Sequence, residues 1–195
     1  MKQKIFLLIS KKACPSKPRR SGGFTLVELM VVIVIIGILA TIGTFAFQSS
    51  QKKARDSRRK SDLDQVAKAL EMYNTDIGSY PAGGLSTATY AGRILGCVQN
   101  VSNICEWGTF FGDTTKPVTY MVKLPKDPTD NHVYYYERVG SNGYRLYARL
   151  ENAQDAAIPT TGSLEYGMNC GTTTNVVYCN YMITSPNVVE PTPKP

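Results

Sequence analysis

The sequence predicts an α+β protein in which one long N-terminal helix packs on a small antiparallel β-sheet. Three observations predict it. Phe24 to Phe47 form an apolar run with a single charge, and the residues that follow contain no Gly or Pro until Gly78 and Pro81. Leu63, Val66, Ala67, Leu70 and Tyr73 then recur at helical spacing, which gives the continuing helix an apolar stripe. Two segments of alternating residues, 133–139 and 144–150, flank Ser141-Asn142-Gly143 and read as a β-hairpin.

Residues 1–23 hold seven cations (Lys2, Lys4, Lys11, Lys12, Lys17, Arg19, Arg20) and no acid. Without them the 22 basic residues fall to 15, equal to the 15 acidic ones, so the formal charge of +7 belongs to this segment. Basicity in a leader does not point to a nucleic-acid partner for the body of the protein. Ile5 to Ile9 is too short for a secretory core or a membrane span. Arg19-Arg20 and Ala13-Cys14 fit twin-arginine and lipoprotein signals poorly, because Lys11 and Lys12 stand where apolar residues are needed. No small-x-small cleavage site follows the apolar run at Phe45-Ala46-Phe47. Residues 1–23 are therefore expected to be a cleaved basic leader.

Residues 24–47 are expected to be a transmembrane helix. At 1.5 Å per residue they reach about 36 Å, enough for a bilayer core. The cations before them place the N-terminus in the cytoplasm and the rest outside. Glu28 is the one charge in the run, and an acid among lipid tails calls for a cation, since it costs on the order of 2.5–3.5 kcal/mol. Gly37, Ala40, Gly43 and Thr44 thin one side, as where helices pack closely, although Gly is common in membrane helices without marking a contact.

Residues 48–78 are expected to continue the helix, with Asp62, Asp64, Lys68 and Glu71 facing away from the apolar stripe. A basic cluster (Lys52, Lys53, Arg55, Arg58, Arg59, Lys60) reads as a solvated or headgroup-facing segment. No aromatic residue is interleaved with it as single-strand nucleic-acid binders require.

Residues 79–184 form the expected head. Within it 79–116 read as a loop with short helical turns around Cys97, Cys105 and Trp107, and Val176 to Ile183 as a third strand. Alternation of Tyr134, Tyr135 and Tyr136 predicts tyrosines divided between the helix-facing side and an exposed or intersubunit side. Residues 185–195, rich in proline and with little to bury, are expected to be frayed or extended.

Cys97, Cys105, Cys170 and Cys179 are four thiols in the part expected outside the cell, and they allow three pairings. Two short loops, closed by Cys97 with Cys105 and by Cys170 with Cys179, are favoured in an oxidising compartment. There is no Cys-x-x-Cys spacing, and His132 is the only histidine. No nucleophile motif, phosphate loop or metal spacing is present, so neither an enzyme nor a cofactor is expected.

Gly23-Phe24-Thr25-Leu26-Val27-Glu28, after a basic leader and opening an apolar run, resembles the processing and methylation motif of type IV pilins and of the pseudopilins of type II secretion. Tyr73 to Pro81 resemble the end of the long helix in such proteins, and Leu124-Pro125-Lys126-Asp127-Pro128 their turn before the hairpin. The resemblance covers residues 20–81 and 124–150. It implies that a membrane aspartyl prepilin peptidase cuts between Gly23 and Phe24 and methylates the new amine of Phe24. A residue without a side chain suits an extended backbone entering a tight protease site. It also implies that Glu28 meets the Phe24 amine of a neighbouring subunit during assembly; the competing reading is neutralisation by its own Phe24 amine.

By the same resemblance the protein is a structural subunit that self-assembles into a helical filament on an inner-membrane assembly platform. It would wait in membrane lipid as a single-pass protein with an extracytoplasmic head, then join a periplasmic or cell-surface filament. Nucleic acid is not an expected partner. The alternatives are a DNA-binding or adhesive minor pilin and a membrane-anchored domain that never polymerises. Some pseudopilins bind calcium after the second strand, where Glu151, Asn152 and Asp155 lie here; three scattered donors are few for that ion, and a solvated loop is expected.

Overall fold

The structure is a computed structural model. It describes residues 23–83, 91–97, 104–113, 118–159 and 165–189, so residues 1–22 of the leader, parts of 84–117, residues 160–164 and residues 190–195 of the tail lie outside it. Helix α1 (Leu26–Ile77) runs for 52 residues. It stops at Gly78, whose φ of 81° is open to a residue without a Cβ and whose N–H donates to the Asn74 carbonyl at 2.8 Å.

The chain divides into two compact units between Thr44 and Phe45. In the first, the large apolar side chains from Leu26 to Leu39 are 49 to 71% exposed, all round the helix. Thr41 and Thr44 close their hydroxyls on the carbonyls of Ile38 and Thr41, so neither leaves a polar group unmet on this surface. Among the described residues no helix is long and apolar enough to cross a membrane. The side chains of Ile42, Gly43, Phe45 and Ala46, which belong to the run read from the sequence, are not among those described.

The second unit is the C-terminal part of α1 with all the strands. Alternating residues build a three-stranded antiparallel sheet in the order β5 (Tyr135–Val139), β6 (Gly143–Ala148), β7 (Tyr181–Thr184). The hairpin register runs from Tyr135 opposite Tyr147 to Val139 opposite Gly143, and β7 pairs from Ala148 opposite Tyr181 to Arg145 opposite Thr184. Leu63, Val66, Ala69 and Leu70 of α1 are buried with Leu124, Tyr134, Tyr136, Tyr144 and Leu146. Burying a Leu, Val or Phe side chain contributes about 1.5–3 kcal/mol, so this stripe holds the helix to the sheet.

Several expectations are corrected. Asp62 does not face away: it is 8% exposed and accepts the Tyr134 hydroxyl at 2.8 Å. Tyr135 is buried as well as its two neighbours, because the far face of the sheet is covered. There Tyr135, Tyr147 and Met182 pack with Cys170 and Cys179. The described part of 79–116 holds short strands rather than helical turns. β1 (Ile94–Leu95) pairs with β2 (Ile104–Cys105), and β3 (Phe111–Asp113) with β4 (Val118–Met121).

The third strand starts five residues later than expected. Val176 is exposed, and Val177 instead gives its carbonyl to the Cys170 amide within the second cysteine loop. The tail is not frayed from its start either: Ser185 is fully buried, with Oγ accepting from the Tyr144 amide. A Cβ on Gly143 would lie 2.1 Å from Val188, so that glycine makes room for the tail rather than for the turn.

Candidate functional site

The functional motif opens α1. Thr25 stands just before the helix, and its Oγ1 accepts the Glu28 amide at 3.3 Å. Glu28 Oε2 in turn accepts the Thr25 amide at 2.8 Å and the Thr25 hydroxyl at 2.9 Å. This reciprocal pair is a capping box, which satisfies two amides that the first turn of a helix would leave open. The Thr-x-x-Glu spacing carries this signal in the sequence, beside the charge of Glu28 that calls for a cation. Phe24 is 87% exposed. A Cβ placed on Gly23 meets nothing within 4 Å, so no contact within the described chain requires a glycine there.

A second constellation holds α1 to the head, and the sequence reading missed its centre. Arg59 is fully buried, and its guanidinium is ringed by acceptors. Nε and Nη2 donate to the two oxygens of Asp127 at 2.7 and 2.8 Å, a two-pronged geometry available to arginine and not to lysine. Nη1 donates to Asp56 and to Glu151, each at 2.8 Å. The remaining Nη2 proton lies near Thr129 Oγ1 and His132 Nδ1, both at 3.3 Å. The Thr129 hydroxyl donates to Asp127 Oδ1 at 2.8 Å, and its Oγ1 lies 3.2 Å from His132 Nδ1, so the ring closes this side of the cluster.

The acceptors are held in turn. Asp127 Oδ1 takes the Thr129 amide at 2.8 Å, which gives Leu124-Pro125-Lys126-Asp127-Pro128 its role as a rigid turn. Asp56 takes the amides of Glu151 and Asn152 at 2.9 and 2.8 Å. Buried Asn180 closes on both the amide and the carbonyl of Leu150, at 2.7 and 3.0 Å, and so fixes the start of the same loop.

Burial opposes the Arg59 charge, but Asp127, Glu151 and Asp56 outweigh it and hold the guanidinium above its ordinary value. The Arg55 hydrogen bond, assisted by Arg59, pulls Glu151 down to about 2. Burial pushes Asp62 up and His132 down.

The basic cluster is therefore not a uniformly solvated face. Arg55 donates through Nε to Glu151 at 2.7 Å, Lys60 meets Asp155 at 2.6 Å, and Arg58 lies 3.9 Å from Asp62. The loop after the second strand is correspondingly not a free acidic loop. Both Glu151 oxygens are taken by arginines, and Asp155 is taken by Lys60 and the Ala157 amide, so these residues do not fit a calcium ion. Among the described residues no group of three or more His, Cys, Asp or Glu is placed to hold a metal.

The cysteines are joined as Cys97 to Cys105 and Cys170 to Cys179, with Cα atoms 5.3 and 5.1 Å apart. Neither bond lies beside the Arg59 cluster or the Gly23–Glu28 motif in sequence. Each closes a loop of the head.

Residues 18–44 match the family described as the prokaryotic N-terminal methylation motif. The chain is 34% identical over 131 residues to the type II secretion system core protein G of Pseudomonas aeruginosa, covering 67% of this chain and 83% of that one. It is 32% identical to the proteins of the same name from Vibrio cholerae and Escherichia coli, over 65% and 72% of this chain and 77% and 87% of theirs. No solved structure matches. With an N-terminal helix packed on a small antiparallel sheet and this identity over most of both chains, the chain belongs to the family of type II secretion system core protein G.

Proposed function

We propose that this chain is a structural subunit of a type II secretion pseudopilus, cut between Gly23 and Phe24, methylated on Phe24 and polymerised through the N-terminal half of α1. The observation that carries this reading is the apolar helix surface from Leu26 to Leu39, exposed on every side within the chain. Such a surface is stable only in lipid or among like helices, and exchange of one for the other is nearly even in apolar contact. The subunit would wait in the inner membrane with its head outside, held by lipid, before the assembly platform moves it into a periplasmic filament. Gly23 fits a role in an external site, since nothing within the described chain uses its lack of a side chain.

Prepilin peptidase is then the enzyme, and this chain its substrate. A DNA-binding role gains no support, because Arg55, Arg59 and Lys60 are engaged by carboxylates. Mass spectrometry of the mature N-terminus is the test: it should find monomethylated Phe24. An unprocessed Met1 in the filament fraction would sink the proposal. Gly23→Val should leave uncut precursor in the membrane and no filament.

A further inference from the structure

We infer that a groove of the second unit, lined by Arg58, Lys123 and Lys126, receives the Asp64 carboxylate of a second copy of this chain in the filament. This rests on the polymerised state proposed above and adds to it a contact outside the apolar helices.

Two segments clipped together build the groove. The Gly108 amide donates to the Leu124 carbonyl at 2.9 Å and the Leu124 amide to the Thr109 carbonyl at 2.7 Å, so 107–109 and 123–126 form one floor. With Arg58 of α1 they line a hollow of about 500 Å³ whose lining holds three cations and no carboxylate. Gly108 has a φ of 93°, and a Cβ there would stand 3.2 Å from Lys126 Cδ, so the glycine lets the lysine stem lie across the floor. Lys123 and Lys126 form no ion pair among the described residues. Arg58 reaches only Asp62, at 3.9 Å, and that carboxylate already accepts the Tyr134 hydroxyl at 2.8 Å. Lys126 also borders an adjoining cavity, where Glu106 and Asp127 are held by Arg93 and Arg59. The three cations thus keep charge that a carboxylate from outside would meet.

Charge balance points to a second copy as the source of that carboxylate. Residues 24–195 hold 15 basic and 15 acidic residues, so a local basic excess is matched by acid elsewhere on the same chain. Copies of such a chain attract where opposite patches meet. Among the described residues Asp64, Asp76 and Asp130 are exposed and form no ion pair. Asp130 borders the cavity beside Lys126 and so shares its side of the head. Asp76 stands about five full turns of α1 beyond Arg58 and points the same way. Asp64 lies about 240° around α1 from Arg58 and points elsewhere. A contact between two different patches that does not close on itself propagates an open helical assembly, and Asp64 is the acid that supplies the second patch.

The test mixes unlabelled and heavy-nitrogen full-length chain in one filament and treats it with a water-soluble carbodiimide, which joins a carboxylate to an amine only where they touch. Peptide mass spectrometry should find Asp64 joined to Lys123 or Lys126 in pairs that combine light and heavy chain. Lys123→Glu/Lys126→Glu sets like charges together and should lower filament yield on the order of tenfold, with Phe24 still methylated and the melting temperature unchanged. Adding Asp64→Lys to that variant should restore the yield. Joined pairs of uniform label only, a link to Asp76 or Asp130 in place of Asp64, an undiminished yield from the Glu pair, or no rescue by Asp64→Lys overturns the contact. A wild-type chain that is cut and methylated yet gives no filament overturns the polymerised state itself, which separates the two failures.

Discussion

Glu28 has two roles open to it that differ in what they need from the carboxylate. The capping box with Thr25 needs only an acceptor, which glutamine also supplies. Pairing with a neighbour's Phe24 amine needs the charge. Glu28→Gln should therefore keep the helix start and the cleavage after Gly23, yet assemble poorly, because an unpaired buried amine costs roughly 3–5 kcal/mol. Glu28→Leu should assemble no better. Normal filament yield from Glu28→Gln as the sole subunit would show that capping is the whole role. Arg59 poses the complementary case, where every partner is within the chain. Arg59→Leu leaves Asp56 and Asp127 without their cation, while Glu151 keeps Arg55, and should destabilise the head by about 3–5 kcal/mol in urea titration. Arg59→Lys should recover only part of that, since an ammonium cannot span both oxygens of Asp127. A loss within experimental error for either variant would mean the cluster is not closed as described.

Helix α1 and the hairpin β5–β6 were legible in the sequence because each carries its own period, and the stripe of Leu63, Val66 and Leu70 faces the core as the spacing required. Arg59 was not legible, since its partners Asp127 and Glu151 lie 68 and 92 residues away and nothing local says which cation of six is buried. Tyr135 shows the same limit. Alternation placed it on the opposite face from Tyr136, but the cover on that face comes from a segment around Cys170 and Cys179 that has no period of its own. The cover is held by irregular bonds, among them the Cys170 amide to the Val177 carbonyl at 2.7 Å, the Cys179 amide to the Met168 carbonyl at 2.9 Å and the Val133 amide to the Cys170 carbonyl at 2.7 Å, and its disulfide ties the two sides of that loop together. Replacing Cys170 and Cys179 by Ala should cost about 2–3 kcal/mol from the short loop alone. It should also expose Tyr135 and Tyr147, seen as a rise in tyrosine quenching by acrylamide. The pair Cys97 and Cys105 should leave that quenching unchanged. Peptide mapping that found crossed pairs, such as Cys105 with Cys170, would contradict this arrangement.

The two units of the chain place their hydrophobic surface in opposite ways: the first leaves it outward for lipid or like helices, and the second encloses it around charges and tyrosines that have lost water. The second unit is therefore sensitive to pH from both sides, and the signs follow from the direction of each shift. Glu151 is held at about 2 against an ordinary 4.5, and Asp155 is also lowered by Lys60. Their contribution is complete above the unfolded value and is lost as the pH falls from about 4.5 toward 2. His132, lowered by burial from 6.5, acts in the same direction earlier, because the unfolded ring takes up a proton first as the pH drops below 6.5. Asp62, raised by burial, works against this and softens the acid limb. On the alkaline side Tyr134, Tyr136, Tyr144 and Tyr147 are all raised from 10.0 by burial. A raised group contributes fully below its unfolded value, so stability should fall as the pH climbs past 10.0 and the unfolded tyrosines ionise first. Thermal melts should thus show a plateau between about pH 6.5 and 10, with a first decline below 6.5 and a steeper one below 4.5. His132→Gln should remove the first decline and leave the second. Glu151→Gln should lower the plateau and flatten the second, because a side chain that does not titrate gives no slope. A wild-type melting temperature that stays constant from pH 7 down to 3 would mean that Glu151 and His132 are not held as the Arg59 cluster requires.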